Sequence, residues 1–365
     1  MTAAETPQER VQDSTTVEET LARMRVKLAG IVPDAELPPK ADLAFRINQL
    51  KHERNAVILG HNYMEPALYH SVPDFVGDSL QLSRICTQTD ADIIVFCGVL
   101  FMAETAKILN PGKTVLIPAE NAGCSLAEGI TPEAIRALKR VYPGAPVITY
   151  VNTYADAKAE SDCCCTSGNA GPVLRYYIEQ GYDRIVFLPD EFLARNTANE
   201  LGANFVLAQQ DLESAPENMG VEPGRPTVIG WPSHCEVHEL ITVEHVQDIR
   251  RRYPDAVILA HPECPPDVID LCDVAGSTKA MVDYIRDVDA SCYVLLTETS
   301  MADNLAVEYP KRNIARPIDF PCKHMKVVTL EDTVAALKET RYKVELDPDV
   351  IARAHAPITR MLEIL

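Results

Sequence analysis

Apolar residues in this chain gather in short β-branched runs, each closed by a polar tip and followed by a stretch with helical spacing. Residues 56–79 read AVILGHNYMEPALYHSVPDFVGDS, residues 146–167 read PVITYVNTYADAKAESDCCCTS, and residues 256–278 read AVILAHPECPPDVIDLCDVAGST. Each opens on Val57-Ile58, Val147-Ile148 or Val257-Ile258 and turns polar at His61-Asn62-Tyr63, Tyr150-Val151-Asn152 or His261-Pro262-Glu263. A small polar cluster follows: Gly77-Asp78-Ser79, Thr166-Ser167-Gly168 or Gly276-Ser277-Thr278. A second apolar run comes at 93–96, 184–187 and 292–295, backed by the helical patterns MAETAKIL, EFLARNTA and SMADNLAV. A third ends in a loop with one cysteine: Cys124 in TVLIPAENAGCSLA, Cys235 in TVIGWPSHCEVHE and Cys322 in RPIDFPCKHMK. Helix-start signals close each copy at Thr131-Pro132-Glu133, Thr242-Val243-Glu244 and Thr329-Leu330-Glu331.

The spacing marks these as repeats. Ile58 to Val95, Ile148 to Val186 and Ile258 to Val294 are 37, 38 and 36 residues apart, and the second run lies 29, 49 and 28 residues before the cysteine. The long middle value is assigned to a polar, Gly/Pro-containing insertion at about 209–224. Strands alternating with helices predict parallel sheets. The expected fold is therefore α/β: three αβα sandwich domains related by a pseudo-threefold axis, at 55–145, 146–254 and 255–340, after an N-terminal region 1–54 and before a C-terminal helix in 341–365. Residues 1–15 are expected to be disordered, with helices at 17–29 and 41–54 around a Pro-rich joint at 33–39.

Composition narrows the function classes. The chain has 365 residues, of which 47% are apolar, enough for a large core. Its net charge of −19 argues against nucleic-acid binding, which depends on neutralising phosphates. No apolar run is long enough to span a membrane. The N-terminal MTAAETPQERVQDSTT lacks the apolar core of a signal peptide, so a cytoplasmic protein is expected. There are 11 cysteines and no C-x-x-C; in a reducing compartment they are thiols or metal ligands.

One cysteine per copy is how a chain would build a three-cysteine site on a threefold axis. Three thiolates suit a [4Fe–4S] cluster with one iron free of protein ligands, and zinc with three thiolates and a water is the rival. Cys163-Cys164-Cys165 is read as a loop run at the wrong place in the repeat, and Cys264 lacks counterparts, so both are left out of the ligand set. Cys97, Cys272 and Cys292 read as buried small hydrophobes. His61 and His261 occupy matching strand-end tips, and with Glu263 they are candidates for acid–base work. Ser79, Ser167 and Thr278 precede helical runs, where hydroxyls and backbone N–H groups hold carboxylates and phosphates, although plain helix capping is the alternative. Glu104 and Lys107 read as a surface or packing pair.

Taken in order, GHNYMEP, DFVGDSLQLSR, FCGVLFMAETAKILNP, AGCSLA, YVNTYADAKAESD, CCTSGNA, FLPDEFLARN, GWPSHCEVHE, HPECPPDV, GST, TETSMADNL and FPCKHMK resemble the quinolinate synthase family of de novo NAD biosynthesis, from about residue 50 to the C-terminus. The resemblance implies three pseudo-symmetric αβα domains around a [4Fe–4S] cluster on Cys124, Cys235 and Cys322. It implies an enzyme, a transferase that condenses iminoaspartate with dihydroxyacetone phosphate, the imine being supplied by L-aspartate oxidase. It places substrate-binding residues at His61, Tyr63, Ser79, Tyr150, Asn152, Ser167, His261, Glu263 and Thr278, and His238 near the cluster. Glu263, His261 and Tyr63 are the candidate catalytic groups. The competing readings are an iron–sulfur hydratase or dehydratase, which forms no carbon–carbon bond, and a non-catalytic sensor or electron carrier.

Overall fold

The structure, a computed structural model, describes residues 10–209 and 221–364. It contains three parallel sheets. The first pairs β1 (Ala56–His61), β2 (Phe75–Gly77), β3 (Ile93–Cys97) and β4 (Thr114–Leu116) in the order β2-β1-β3-β4. The second holds β5 (Val147–Tyr150), β6 (Cys163–Cys165), β7 (Arg184–Leu188), β8 (Asn204–Leu207) and β9 (Thr227–Gly230) in the order β6-β5-β7-β9-β8. The third holds β10 (Ala256–Ala260), β11 (Val274–Ala275), β12 (Cys292–Leu296) and β13 (Ile314–Ala315) in the order β11-β10-β12-β13. The connectivity is the same three times, with β8 added at one edge of the middle sheet. Equivalent registers recur: Ile58 pairs with Val95 and Ile258 with Val294.

Apolar runs form these strands because both faces are covered, as parallel sheets require. In the third sheet Ile258, Ala260, Val294 and Leu296 enter one core while their neighbours Leu259, Tyr293 and Leu295 enter another on the opposite face. The first sheet, much of the second, the N-terminal helices and the C-terminal helix Pro348–Glu363 share one larger core.

Several local expectations are corrected. Residues 10–15 are ordered: Val11–Asp13 form a turn of 3₁₀ helix, Val11 is buried, and Gln12 Nε2 donates to the Pro73 carbonyl at 3.0 Å. Residues 1–9 and most of the 209–224 insertion lie outside the described residues. The second N-terminal helix starts at Leu37, with Pro38 and Pro39 in its first turn, where proline's missing N–H costs nothing. Asn48 and Lys51 on that helix hydrogen-bond the Ser71 and Val72 carbonyls, and Lys51 pairs with Asp74 at 2.8 Å. They thereby fix the loop that follows the first polar tip. Cys163–Cys165 form the edge strand β6, wholly buried beneath the C-terminal helix, and are not a loop.

Candidate active site

Ligands of parallel sheets lie beyond the carboxyl ends of the strands, and here three sets of strand ends meet at one pocket. From β1, β5 and β10 come His61 and Tyr63, Tyr150 and Asn152, and His261 and Glu263. From the short β2, β6 and β11 come Ser79, Ser167 and Thr278. The loops after β4, β9 and β13 bring Cys124, Cys235 and Cys322, and His238 follows Cys235 by one helical turn.

The cysteine loops share a local design. In each, the backbone N–H groups two and three residues on face the sulfur: Leu126 and Ala127 for Cys124, Val237 and His238 for Cys235, His324 and Met325 for Cys322. Burial pushes the thiols up, to about 12 for Cys124, to about 11 for Cys322 and further for Cys235, while those amides pull them back. The three cysteines are half-buried, and sulfurs facing ready-made N–H donors are in a setting that stabilises thiolate. The loops are also tied together. Glu236 N–H donates to Ser125 Oγ at 3.3 Å, its carboxylate meets Lys323 at 2.7 Å, and Trp231 Nε1 donates to the Gly129 carbonyl at 2.8 Å.

Hydrogen bonds assign the histidine tautomers. Tyr63 N–H donates to His61 Nδ1 at 3.2 Å, and Glu263 N–H donates to His261 Nδ1 at 3.4 Å, the same contact in two repeats. Burial lowers His61 to about 4 and His261 to about 3, so both rings are neutral at pH 7. Nδ1 being an acceptor, Nε2 carries the proton. His261 Nε2 is thus the donor to Ser167 Oγ at 3.1 Å, which leaves the serine proton free to point elsewhere. At His238 the contact is reversed: Nδ1 lies 2.7 Å from Glu263 Oε2, a carboxylate oxygen that can only accept, and 3.1 Å from Cys235 Sγ, so this Nδ1 carries a proton. Burial disfavours the Glu263 charge, but His261, His238 and Tyr150 outweigh it and hold the carboxyl at about 2. Tyr63 and Tyr150 stay protonated, raised by burial and by Glu263.

The sequence of these walls matches the family described as "Quinolinate synthetase A protein" over residues 45–363. Quinolinate synthase of Agrobacterium fabrum is 45% identical over 363 residues, spanning 99% of this chain and 97% of that one. Quinolinate synthase 2 of Mesorhizobium japonicum is 46% identical over 349 residues, 96% and 99% of the two chains, and the Xylella fastidiosa enzyme 47% over 318 residues, 87% and 86%. The chain belongs to the quinolinate synthetase A family.

Against that family pattern, the structure brings every sequence-selected site residue into one pocket and leaves the decoys outside it. Cys264 is buried, its thiol donating to the Leu296 carbonyl at 3.5 Å, and Cys163–Cys165 are held protonated by burial. Ser79 and Thr278 are not the caps of their helices. Asp78 caps Ser79–Cys86 through Gln81 N–H, and Ser277 caps Thr278–Asp287 through Ala280 N–H. The Ser79 hydroxyl is thereby spared for other work, while Thr278 Oγ1 accepts from Asn62 Nδ2 at 2.9 Å. Glu104 and Lys107 are buried and bonded separately, Glu104 to Ala155 N–H at 2.8 Å and Lys107 to the Pro111 and Lys113 carbonyls, so they are neither a surface feature nor a pair.

Sequence reasoning missed Thr297, which contacts Tyr63 of the first repeat and His238 of the second, and it missed Asp78 and Glu298, which bond within their own repeats, Asp78 as a helix cap and Glu298 accepting from Cys322 N–H at 3.3 Å. Among the described residues, Cys235, His238 and Glu263 are also close enough to hold a single ion. However, His238 Nδ1 is committed to Glu263 and Nε2 lies 2.9 Å from Thr297 Oγ1, so the trio is a hydrogen-bonded cluster. Among the described residues, the pocket's polar walls also hold three buried acceptors without a hydrogen-bond partner, Asn152 Oδ1, Glu263 Oε1 and Glu236 Oε1, the last 3.2 Å from His324 Nε2, as a ligand site requires. No lysine or arginine is among the described residues lining it.

Proposed function

We propose that this protein is a quinolinate synthase, condensing iminoaspartate with dihydroxyacetone phosphate to form quinolinate, phosphate and water. The observation that carries the reading is the meeting of one cysteine loop from each repeat with the polar strand ends of the same repeats in a single pocket, in a chain of this family. Cys124, Cys235 and Cys322 would hold a [4Fe–4S] cluster, whose irons take thiolates. When bound, the cluster supplies Lewis acidity that polarises a substrate oxygen.

The chain's own residues do the rest. Ser79 and Thr278 stand in the first turns of their helices, where hydroxyls and N–H dipoles receive carboxylate and phosphate oxygens without a formal cation. Ser167, its oxygen held by His261, donates its proton to the same anions. His61 Nε2–H adds a neutral donor. Glu263 is anionic at neutral pH and removes protons during isomerisation and ring closure, with His261 beside it. Tyr63 and Tyr150 both line the pocket and enclose the flat product.

Iminoaspartate is an imine and hydrolyses in water, so its supply is assigned to an amine-oxidising enzyme, L-aspartate oxidase. Eleven free cysteines suit a reducing cytoplasm. No helix among the described residues is long and apolar enough to cross a membrane. The domain division at 55–145, 146–254 and 255–340 is proposed on the repeated sheet order.

The test is anaerobic incubation of the iron-loaded protein with iminoaspartate and dihydroxyacetone phosphate, following quinolinate by chromatography. Quinolinate that depends on both substrates supports the reading. A loaded protein that forms none, or that only dehydrates one substrate, overturns it.

A further inference from the structure

The helices that follow β3, β7 and β12 each reach the polar tip of another repeat. From Thr299–Glu308 of the third repeat, Asn304 Nδ2 donates to the Asn62 carbonyl at 3.0 Å and to the Met64 carbonyl at 2.9 Å in the first. From Glu191–Glu200 of the second, Asn196 Nδ2 donates to the Pro262 and Cys264 carbonyls of the third, both at 2.9 Å. The two asparagines hold equivalent places in the helical patterns LARNTA and MADNLA.

Chemistry alone fixes the direction of these bonds. A carbonyl only accepts, so the amide nitrogen is the atom that faces it, and an amide does not titrate. Each amide bridges the carbonyls on either side of one residue, Tyr63 in the first tip and Glu263 in the third. The same turn closes both tips from within: Met64 N–H donates to the His61 carbonyl at 3.0 Å, and Cys264 N–H to the His261 carbonyl at 2.9 Å. The peptide groups that flank Tyr63 and Glu263 are thereby held from both sides.

The first repeat completes the circle by other means. In MAETAK, Thr105 stands at the asparagine's place and spends its hydroxyl on the Phe101 carbonyl of its own helix at 2.8 Å. Its neighbour Glu104 accepts instead from Ala155 N–H of the second repeat at 2.8 Å, and the buried Lys158 donates to the Thr153 carbonyl. The first repeat thus holds the second, the second the third, and the third the first.

We propose that Asn196 and Asn304 are positioning residues, Asn196 for the base Glu263 and Asn304 for Tyr63. The inference rests on the pocket being that of a quinolinate synthase, and it deepens that reading by naming what aims two of its walls. Neither asparagine lines the pocket, so each acts through the residue it holds. Their losses should differ in kind. A base must be aimed at the proton it removes, so a loosened Glu263 slows turnover. Tyr63 encloses what is bound, so a loosened Tyr63 weakens binding.

The test uses the iron-loaded holoenzyme of Asn196→Ala and Asn304→Ala. Amide hydrogen exchange, read by mass spectrometry, should rise locally, across 261–264 in the first variant and across 61–64 in the second, with the other tip and the iron content as in wild type. In Asn196→Ala kcat should fall about 10- to 100-fold with KM little changed, whereas in Asn304→Ala the larger change should be in KM. In the Glu263→Gln background Asn196→Ala should cost little more, since the base it aims is gone, while Asn304→Ala keeps its full effect. The inference is overturned if exchange at the two tips rises together or not at all, if Asn196→Ala turns over normally, or if its loss multiplies in full with that of Glu263→Gln. Should an alanine variant not fold, serine at that position, which keeps one donor, is read in the same way. Wild-type enzyme that makes no quinolinate marks the failure of the functional reading instead, and the exchange pattern still tests the two asparagines.

Discussion

Replacing Glu263 by glutamine changes one proton-accepting atom and little else. The side chain is buried, with Oε2 2.7 Å from His238 Nδ1 and Oε1 unpartnered. Glutamine can keep its amide oxygen on His238, so the loss of folding stability should be about 1–3 kcal/mol, from the exchange of a charged for a neutral acceptor. The chemistry should suffer more: loss of a positioned general base costs on the order of 10²-fold or more in kcat, about 2.7 kcal/mol of barrier. Glu263→Ala strands the His238 N–H and should cost about 1–3 kcal/mol of stability as well.

The pH dependence has a definite sign. The carboxyl is held at about 2, below its ordinary 4.5, so its stabilisation is present above 4.5 and lost as pH falls toward 2. The stability gap between wild type and Glu263→Gln should therefore be largest at neutral pH and close in acid. Anaerobic rates of quinolinate formation, iron content and denaturant melts at several pH values are the assays. Near-normal turnover in an iron-replete Gln variant would refute the role, and loss of iron would make the residue structural.

Three further outcomes follow from other parts of the structure. Cys164→Ala should keep full iron and turnover, since the buried β6 thiol lines no part of the pocket; iron loss in a well-folded variant contradicts this. Burial raises the Glu104 carboxyl to about 7, with Lys158 opposing, so its contribution to stability is full below about 4.5 and is lost as pH rises through 7. Glu104→Gln should accordingly gain on wild type between pH 5 and pH 8 in thermal melts, and a pH-independent difference would be a failure. Asp78→Ala removes both the cap of Ser79–Cys86 and the capping box with Gln81, and should cost about 1 kcal/mol in denaturant unfolding; no change would mean the cap is idle.

What the sequence revealed follows its periodicities. The runs around Ile58, Ile148 and Ile258 form strands buried on both faces, so they read as continuous apolar stretches, and the 37, 38 and 36 spacings expose the repeat. The polar tips were legible because each directly follows such a run, and the cysteines because each stands in the loop after the third strand of its repeat. The two- and three-residue edge strands β2, β6 and β11 were not, being too short for an alternating pattern. Cys163–Cys165 consequently looked like a loop, although the strand beside it and the helix above it bury it completely. β8 lies within the 49-residue interval, whose length an insertion alone would explain. Capping by Asp78 and Ser277 rather than by their neighbours is a difference of one residue in backbone conformation, finer than propensity resolves. The contacts of Thr297 exist only where three repeats touch.

The central proposal is that Cys124, Cys235 and Cys322, one from each repeat and all lining the shared pocket, hold a single cluster. Iron and acid-labile sulfide counts on anaerobically purified protein test it most directly. The account predicts about four of each per wild-type chain, and near-complete loss in each of Cys124→Ala, Cys235→Ala and Cys322→Ala. A folded variant of any of the three that retains the wild-type iron and sulfide would contradict it.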